Sequence, residues 1–317
     1  MLGRPAIDAL NLVQKVNTNH CDASRKIEQE AKKMYPYLFK GLGELEGEFS
    51  IKLTPGSAPY VITTPRRVVL PLMPKVKEEL QRMEKLGVIS KIDLPTDWCA
   101  GMVVVPRPYG RIRTCVDHTK LNESVLRETY PLPKIDNLLA QISESKFFTK
   151  LDCNSGFWQE KLDPDSRFLT TFITPFGRFC FNRMPFGIKS APEHYQRKMS
   201  QILEGSEGYI SIIDDMLIHG KTQEEHDCRL KAVLKRLDDM GATLNAEKCE
   251  FSKKEVKFAG YVLNEEGINF DPEKTESIQD MDTPQNVSDV RRFLGMVNQL
   301  GKFVPHLAEK TNQSGIF

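Results

Sequence analysis

YISIIDDMLIHG, Tyr209 to Gly220, sets two adjacent carboxylates, Asp214 and Asp215, inside an otherwise apolar run. An isolated ionised carboxylate is costly to bury, so acids in such a setting either close an exposed hairpin turn or coordinate a metal. The first reading needs only two β-strands and an Asp-Asp turn between them. The second gains weight from a third acid in the same surroundings: KFFTKLDC, Lys146 to Cys153, reads as an apolar strand whose end carries Asp152. Three carboxylates brought together on adjacent strands can hold two Mg²⁺ ions about 3.5 to 4 Å apart, which activates an attacking hydroxyl and stabilises a leaving pyrophosphate. The acid set alone leaves both readings open.

Working outward, 317 residues with 40% hydrophobic content can bury a sizeable core, divided into two or three subdomains. No stretch approaches the roughly 18 to 20 apolar residues of a membrane span, and MLGRPAIDAL lacks a charged segment followed by a long apolar one. The expectation is a chain without membrane contact, placed in the cytoplasm or nucleus. Seven cysteines with no CxxC pair point to neither a disulfide framework nor a zinc site, and the six histidines show no ligand spacing. Lys and Arg (44) balance Asp and Glu (43), so any nucleic-acid surface must come from local clustering.

Residues 1 to about 60 are weakly periodic and end in TPGSAPYVITTP, which reads as a linker or extended arm. PKVKEELQRMEKLG places Val76, Leu80, Met83 and Leu86 on one helical face and stops at Gly87. VVVPRPYGRIRTCVDH reads as a hairpin, and PKIDNLLAQISES as a helix carrying Ile135, Leu138, Leu139 and Ile142. A helix follows Gly187 up to about Glu204. In TQEEHDCRLKAVLKRLDDMG, Thr222 and Glu225 form a capping box, Leu230, Val233, Leu234 and Leu237 line one face, and Gly241 closes the helix. ATLNAEKCEF and EVKFAGYVL read as strands leading into a turn at NEEG, and two shorter helices, around PEKTESIQDM and SDVRRFLGMVNQLGKF, finish the chain. The order predicts an α+β fold, a mostly antiparallel sheet covered by helices on one face.

Several longer blocks make the reading specific. YPLPKIDNLLAQISESKFFTKLDCNSGFWQEKL, TPFGRFCFNRMPFGIKSAPEHYQRKM, SIIDDMLIHGKTQEEH, LNAEKCEFSKKEVKFAGYVL and RRFLGMVNQLGKFVPHLAEKT resemble, in that order, consecutive blocks of the reverse transcriptase of gypsy-like LTR retrotransposon Pol polyproteins. The resemblance covers roughly residues 55 to 311. It implies a right-hand polymerase of fingers, palm and thumb, with an antiparallel palm sheet. It implies two Mg²⁺ ions, replaceable by Mn²⁺, and as partners a primed RNA or DNA template and deoxynucleoside triphosphates.

Carried over by position, the resemblance makes Asp152, Asp214 and Asp215 the catalytic metal ligands, with the backbone carbonyl of Cys153 as a further ligand. Ile212 stands where the acid pair usually has a leading tyrosine. Phe157, five residues after Asp152, matches the aromatic that excludes a ribose 2′-hydroxyl; read without the resemblance it is a core aromatic. Phe186 and Gly187 match the block that touches the incoming nucleotide or template, although Pro185 and Gly187 also suit a strand-to-helix turn. Arg107, Arg111 and Arg113 match the basic hairpin that faces the triphosphate, which a guanidinium suits because it is always charged and forks onto phosphate oxygens. Their other reading is a charged edge strand. Lys248 matches the lysine that protonates the leaving pyrophosphate, and Phe258, Ala259, Gly260 and Tyr261 match the hairpin that grips the primer, against an ordinary strand with a glycine bulge.

The resemblance divides the chain into an N-terminal extension (1–60), fingers with the start of the palm (61–145), palm with a fingers insertion (146–260), and the end of the primer grip with a thumb-like or connection segment (261–317). MLGRPAIDALNLV resembles the tail of a retropepsin, yet no Asp-Thr-Gly or Asp-Ser-Gly occurs, and the chain stops at GIF before an RNase H or integrase would begin. The expectation is a polymerase module cut from a longer polyprotein, or one with a truncated frame. Two other readings stand beside it. One is a catalytically inactive or co-opted nucleic-acid-binding remnant, motivated by Ile212 and the C-terminus. The other is a two-metal nuclease, which has no need of a deoxyribose gate or a primer-gripping hairpin.

Overall fold

The computed structural model describes residues 18–133, 140–142, 144–272 and 285–300. Two units form, residues 1–253 and 254–317. In the first, the chain runs through α1 (Thr18–Met34), β1 (Glu48–Phe49), α2 (Met73–Lys85), β2 (Ile89–Lys91), β3 (Ala100–Pro106), β4 (Ile112–Val116) and α3 (Thr119–Ser124). It continues through β5 (Phe147–Asp152), β6 (Lys161–Leu162), β7 (Phe172–Thr174), β8 (Gly177–Phe181), α4 (Ala191–Ile202), β9 (Tyr209–Ile212), β10 (Asp215–Gly220), α5 (Gln223–Asp239) and β11 (Glu250–Lys253).

The helix punctuation of the sequence is reproduced. In α2, Val76, Leu80 and Met83 are buried and Gly87 takes a φ of 68°, the left-handed conformation that ends a helix at little cost for glycine. At the start of α5, Thr222 Oγ1 accepts from the Glu225 N–H (3.2 Å). Glu225 reaches back to the Lys221 N–H (2.7 Å), one residue before the cap, so the box closes slightly wider than its simplest form. The apolar face of α5, Leu230, Val233, Leu234 and Leu237, is buried.

Two sheets carry the first unit. One has the order β11-β5-β10-β9, antiparallel throughout; the other has the order β2-β8-β7-β3-β4, antiparallel except for the β3–β7 pair. The β3–β4 pair is the hairpin expected from VVVPRPYGRIRTCVDH. Within the second sheet Phe172 stacks on Phe179 and meets Phe181 at a tilt, and all three join the main core.

The N-terminal segment is more tightly integrated than its weak periodicity suggests. Leu38, Leu45, Phe49 and Ile51 are buried, and Ser24 Oγ donates to the Phe251 carbonyl. Leu244 N–H donates to Leu38 O (2.7 Å), Glu44 N–H to Gly241 O (2.8 Å) and Leu45 N–H to Gln159 O (2.8 Å). The arm reading holds further on, where Ile62 N–H bonds Cys99 O and Cys99 N–H bonds Tyr60 O in an extended pairing. ATLNAEKCEF differs from expectation: only its end is strand, in β11. Asn245 breaks the rest, its side chain accepting from Glu247 N–H (3.1 Å) and its carbonyl from Lys248 and Cys249, an Asx turn that competes with ladder pairing.

The second unit contains the meander β12 (Val256–Phe258), β13 (Tyr261–Asn264) and β14 (Gly267–Phe270), followed by helix α6 (Val287–Leu300), which Asn286 caps by accepting from Asp289 N–H (2.9 Å). The expected helix over PEKTESIQDM lies almost wholly outside the described residues. Most of the helix carrying Ile135, Leu138 and Leu139, and the chain beyond Leu300, lie outside them too; Ile142 is buried in a short 3-10 turn. No described helix is long and apolar enough to cross a membrane.

Candidate active site

Strand register answers why two carboxylates interrupt the apolar run. Asp215 sits directly opposite Asp152 on β5 and opposite Ile212 on β9, which leaves Ile213 and Asp214 as a two-residue hairpin turn. The turn is thus Ile213-Asp214 in place of the expected Asp-Asp, with Asp215 already in β10, and the register puts all three acids at one end of paired strands. Cys153 N–H donates to Asp214 O (3.0 Å), tying the end of β5 to the turn. Cys153 also pairs with Leu244 in an isolated antiparallel bridge.

The turn is strained. Ile213 has a φ of 54°, a left-handed conformation that a β-branched residue rarely adopts and that costs on the order of 1–3 kcal/mol. Gln196, buried in α4, holds it: its Oε1 accepts from Ile213 N–H (2.8 Å) and its Nε2 donates to Ser211 O (3.1 Å).

Charge is concentrated here. Burial, then Asp152 and Asp215, push the Asp214 carboxyl up to about 6. Burial also raises Asp215, against the pull of Lys150 and Lys248. Lys248 Nζ grips both oxygens of Asp152, at 3.1 and 3.2 Å. Asp214 Oδ1 is buried without a hydrogen-bond partner. The carboxylate fits there only because residue 156 is glycine: a Cβ on Gly156 would stand 2.3 Å from Asp214 Oδ1 and 2.6 Å from Tyr195 Oη. Among the described residues no three His, Cys, Asp or Glu side chains already converge as a metal cage. The donor set nevertheless suits a hard divalent cation: oxygen ligands, an orphaned buried oxygen, and two carboxyls whose ionisation nothing nearby fully compensates.

A cavity of about 420 Å³ is lined in part by Arg113, Ser155, Trp158, Phe186 and Gly187. The Arg113 guanidinium lies 5.9 Å from the Phe186 ring centroid, and Arg82 lies 5.8 Å from that of Trp158. Phe157 is buried, its ring 5.0 Å from Phe186 and 5.2 Å from Tyr195, so it is a core aromatic that also contacts Phe186 of the cavity wall. Arg107 and Arg111 are exposed at the turn end of the β3–β4 hairpin, joined by an N–H to O bond of 2.8 Å, and do not line the cavity. Phe258 and Tyr261 are paired, buried residues flanking a two-residue turn in which Ala259 and Gly260 have φ of 50° and 86°. This is a tight turn with positive φ at both central residues, in place of the glycine bulge weighed from the sequence.

Residues 105–263 match the family model described as reverse transcriptase (RNA-dependent DNA polymerase). The chain belongs to the reverse transcriptase family. It is 35% identical over 281 residues to the Transposon Tf2-3 polyprotein of Schizosaccharomyces pombe, a match covering 87% of this chain and 20% of that protein, and 34% identical over the same length to the Tf2-7 polyprotein. The chain thus spans about a fifth of the length of these curated relatives. Its fold is that of the foamy viral protease-reverse transcriptase in complex with dsDNA (TM-score 0.82, 21% identity, 94% of this chain and 62% of that one). The same protein in complex with RNA/DNA hybrid matches at TM-score 0.77 and 21% identity, over 95% of this chain and 42% of that one. The expected α+β polymerase fold is therefore present.

Two glutamines of this reverse transcriptase chain escaped the sequence reading. Gln196 braces the acidic turn. Gln159, fully buried, donates to Asn154 O (3.0 Å) and Thr243 O (2.8 Å) and accepts from Thr243 N–H (2.8 Å), clasping the loop after Asp152 to the segment that leads to Lys248. The available signal was a long amide side chain at a position whose neighbours are apolar, Tyr195 and Met199 around Gln196 and Phe157 and Trp158 before Gln159. Gly156 was visible as a glycine but not as a contact, because its partner is a carboxylate 58 residues away.

Proposed function

We propose that this chain is an RNA-directed DNA polymerase module of a retrotransposon Pol polyprotein, extending a primer 3′-hydroxyl with deoxynucleotides. The observation that carries it is the register that sets Asp152 opposite Asp215 with Asp214 on the intervening turn, its Oδ1 buried and unpartnered. The three carboxylates and the Cys153 carbonyl would hold two divalent ions, Mg²⁺ or Mn²⁺. Such ions, when bound, activate the attacking hydroxyl and stabilise the leaving pyrophosphate.

The chain's own residues do the rest. Gln196 and Gly156 fix where the Asp214 carboxylate points. Arg113, at the cavity mouth with Phe186 and Gly187, meets the triphosphate, and Arg107 and Arg111 supply longer-range attraction from the hairpin end. Phe157, immobilised between Phe186 and Tyr195, is a rigid wall against a 2′-hydroxyl. Lys248 carries a proton beside Asp152 for the leaving group. The turn Phe258–Tyr261 grips the primer. Template and primer are held mainly through phosphate contacts, so binding is salt-dependent, and hybrid geometry matters more than base identity. Fingers, palm and thumb follow the divisions expected from the sequence, and the module works in the cytoplasm or nucleus.

The test is template-directed. On a heteropolymeric RNA template with a DNA primer, the purified chain should add the complementary deoxynucleotide, and Asp152→Asn should add none while still binding the hybrid. Addition by both proteins at equal rate would remove the acids from the mechanism.

A further inference from the structure

The contact least explained by the polymerase reading is the grip of Lys248 on Asp152. The ammonium covers both carboxylate oxygens, at 3.1 and 3.2 Å. Among the described residues, Asp152 is the only one of the three acids in a salt bridge; neither Asp214 nor Asp215 has one. The lysine's backbone cannot drift: Asn245 N–H is bonded to Asp152 O (2.8 Å), and Lys248 N–H to Asn245 O (3.0 Å). Its side chain can move, being 63% exposed against 15% for Asp152.

We propose that Lys248 is the built-in counter-ion of Asp152, occupying the oxygens a divalent cation needs and yielding them as the cation binds, so that metal loading and release of the ammonium are one event. This rests on the polymerase reading and adds a regulation of the same site. An ammonium and a divalent cation compete for the same carboxylate: with the ammonium on both oxygens, the cation is left with the remaining lone pairs and meets the repulsion of a like charge. Once displaced, the ammonium keeps its proton and stays tethered beside Asp152 by the Asn245 turn. Metal loading then delivers the acid that the departing pyrophosphate needs, and without metal the acid stays sequestered.

The experiment measures Mn²⁺ binding to the purified full chain without nucleic acid or nucleotide, from the electron paramagnetic resonance signal of free Mn²⁺. Wild type, Lys248→Met, Lys248→Arg and Asp214→Asn are compared. Lys248→Met should bind Mn²⁺ about three- to tenfold more tightly, the scale of an ion pair with one largely exposed partner. Lys248→Arg, which keeps a cation on Asp152, should bind no more tightly than wild type. Equal or weaker binding by Lys248→Met, with wild-type binding abolished by Asp214→Asn, would overturn the counter-ion role and leave the metal assignment standing. Wild-type binding no stronger than that of Asp214→Asn would instead overturn the acids as metal ligands, and the counter-ion role with them.

Discussion

Replacing Asp214 by Asn should make the metal-free protein more stable while destroying its response to metal. Raising the Asp214 carboxyl from 3.8 to about 6 means that its ionisation costs about 3 kcal/mol more in the folded than in the unfolded chain. The folded value lies above the unfolded one, so this group favours folding fully only below about pH 4. That contribution is lost as pH rises through 6 and stays lost above it. Asn, nearly isosteric and uncharged, escapes the loss. Because the carboxyl is not wholly buried, about 1–3 kcal/mol should be recovered, or roughly 3–8 °C in Tm for a unit of this size. The assay is thermal unfolding by circular dichroism in EDTA from pH 4 to pH 8. The variant's advantage should be absent near pH 4, grow between pH 4 and 6, and level off above. Adding Mn²⁺ should raise the wild-type Tm by the usual binding linkage and leave Asp214→Asn unmoved. An Asn variant equal to or less stable than wild type at pH 8 in EDTA would refute the reasoning, because the burial and repulsion assigned to Asp214 would then be absent.

Gly156→Ala pushes a Cβ into Asp214 Oδ1 and Tyr195 Oη; it should cost about 1–3 kcal/mol of stability and cut nucleotide incorporation by on the order of 100-fold, and a wild-type rate in a primer-extension assay would contradict the packing argument. His194 is held by Glu160 (2.8 Å) and Glu128 (3.2 Å); burial opposes its protonation, but these two partners outweigh it and raise its pKa. The stability it contributes is therefore full below about pH 6.5 and lost as pH rises through the raised value. Urea midpoints of wild type should fall relative to His194→Gln as pH rises above 6.5, and parallel profiles would remove the network from the account. Phe157→Val should admit ribonucleotides, read as the ratio of deoxynucleotide to ribonucleotide incorporation; unchanged selectivity would leave Phe157 as a core aromatic only.

What was legible in the sequence is what local chemistry encodes. Helix ends at Gly87 and Thr222 follow from caps and periodicity, and the acid-bearing strands follow from apolar runs. The pairing of Asp152 with Asp215 was inferable only as a possibility, because strand register across 63 positions leaves no periodic trace. The ties that set the site's geometry were not legible. Leu38 to Leu244, Gln159 to Thr243 and Gln196 to Ile213 join segments by one or two hydrogen bonds each, and no propensity marks which glutamine will be buried. Ile213 is a case where local preference misleads: a β-branched residue reads as strand, yet here it occupies a left-handed turn position that tertiary contacts impose.

The most direct test of the central claim is primer extension by the purified chain on poly(rA)/oligo(dT), in Mg²⁺ and in Mn²⁺, beside Asp214→Asn, with hybrid binding measured on the same samples. The account predicts incorporation by wild type in at least one metal, none by the variant, and comparable binding by both. Silence by the wild type in both metals, with the hybrid still bound, would contradict it and make the chain a nucleic-acid-binding protein without catalysis.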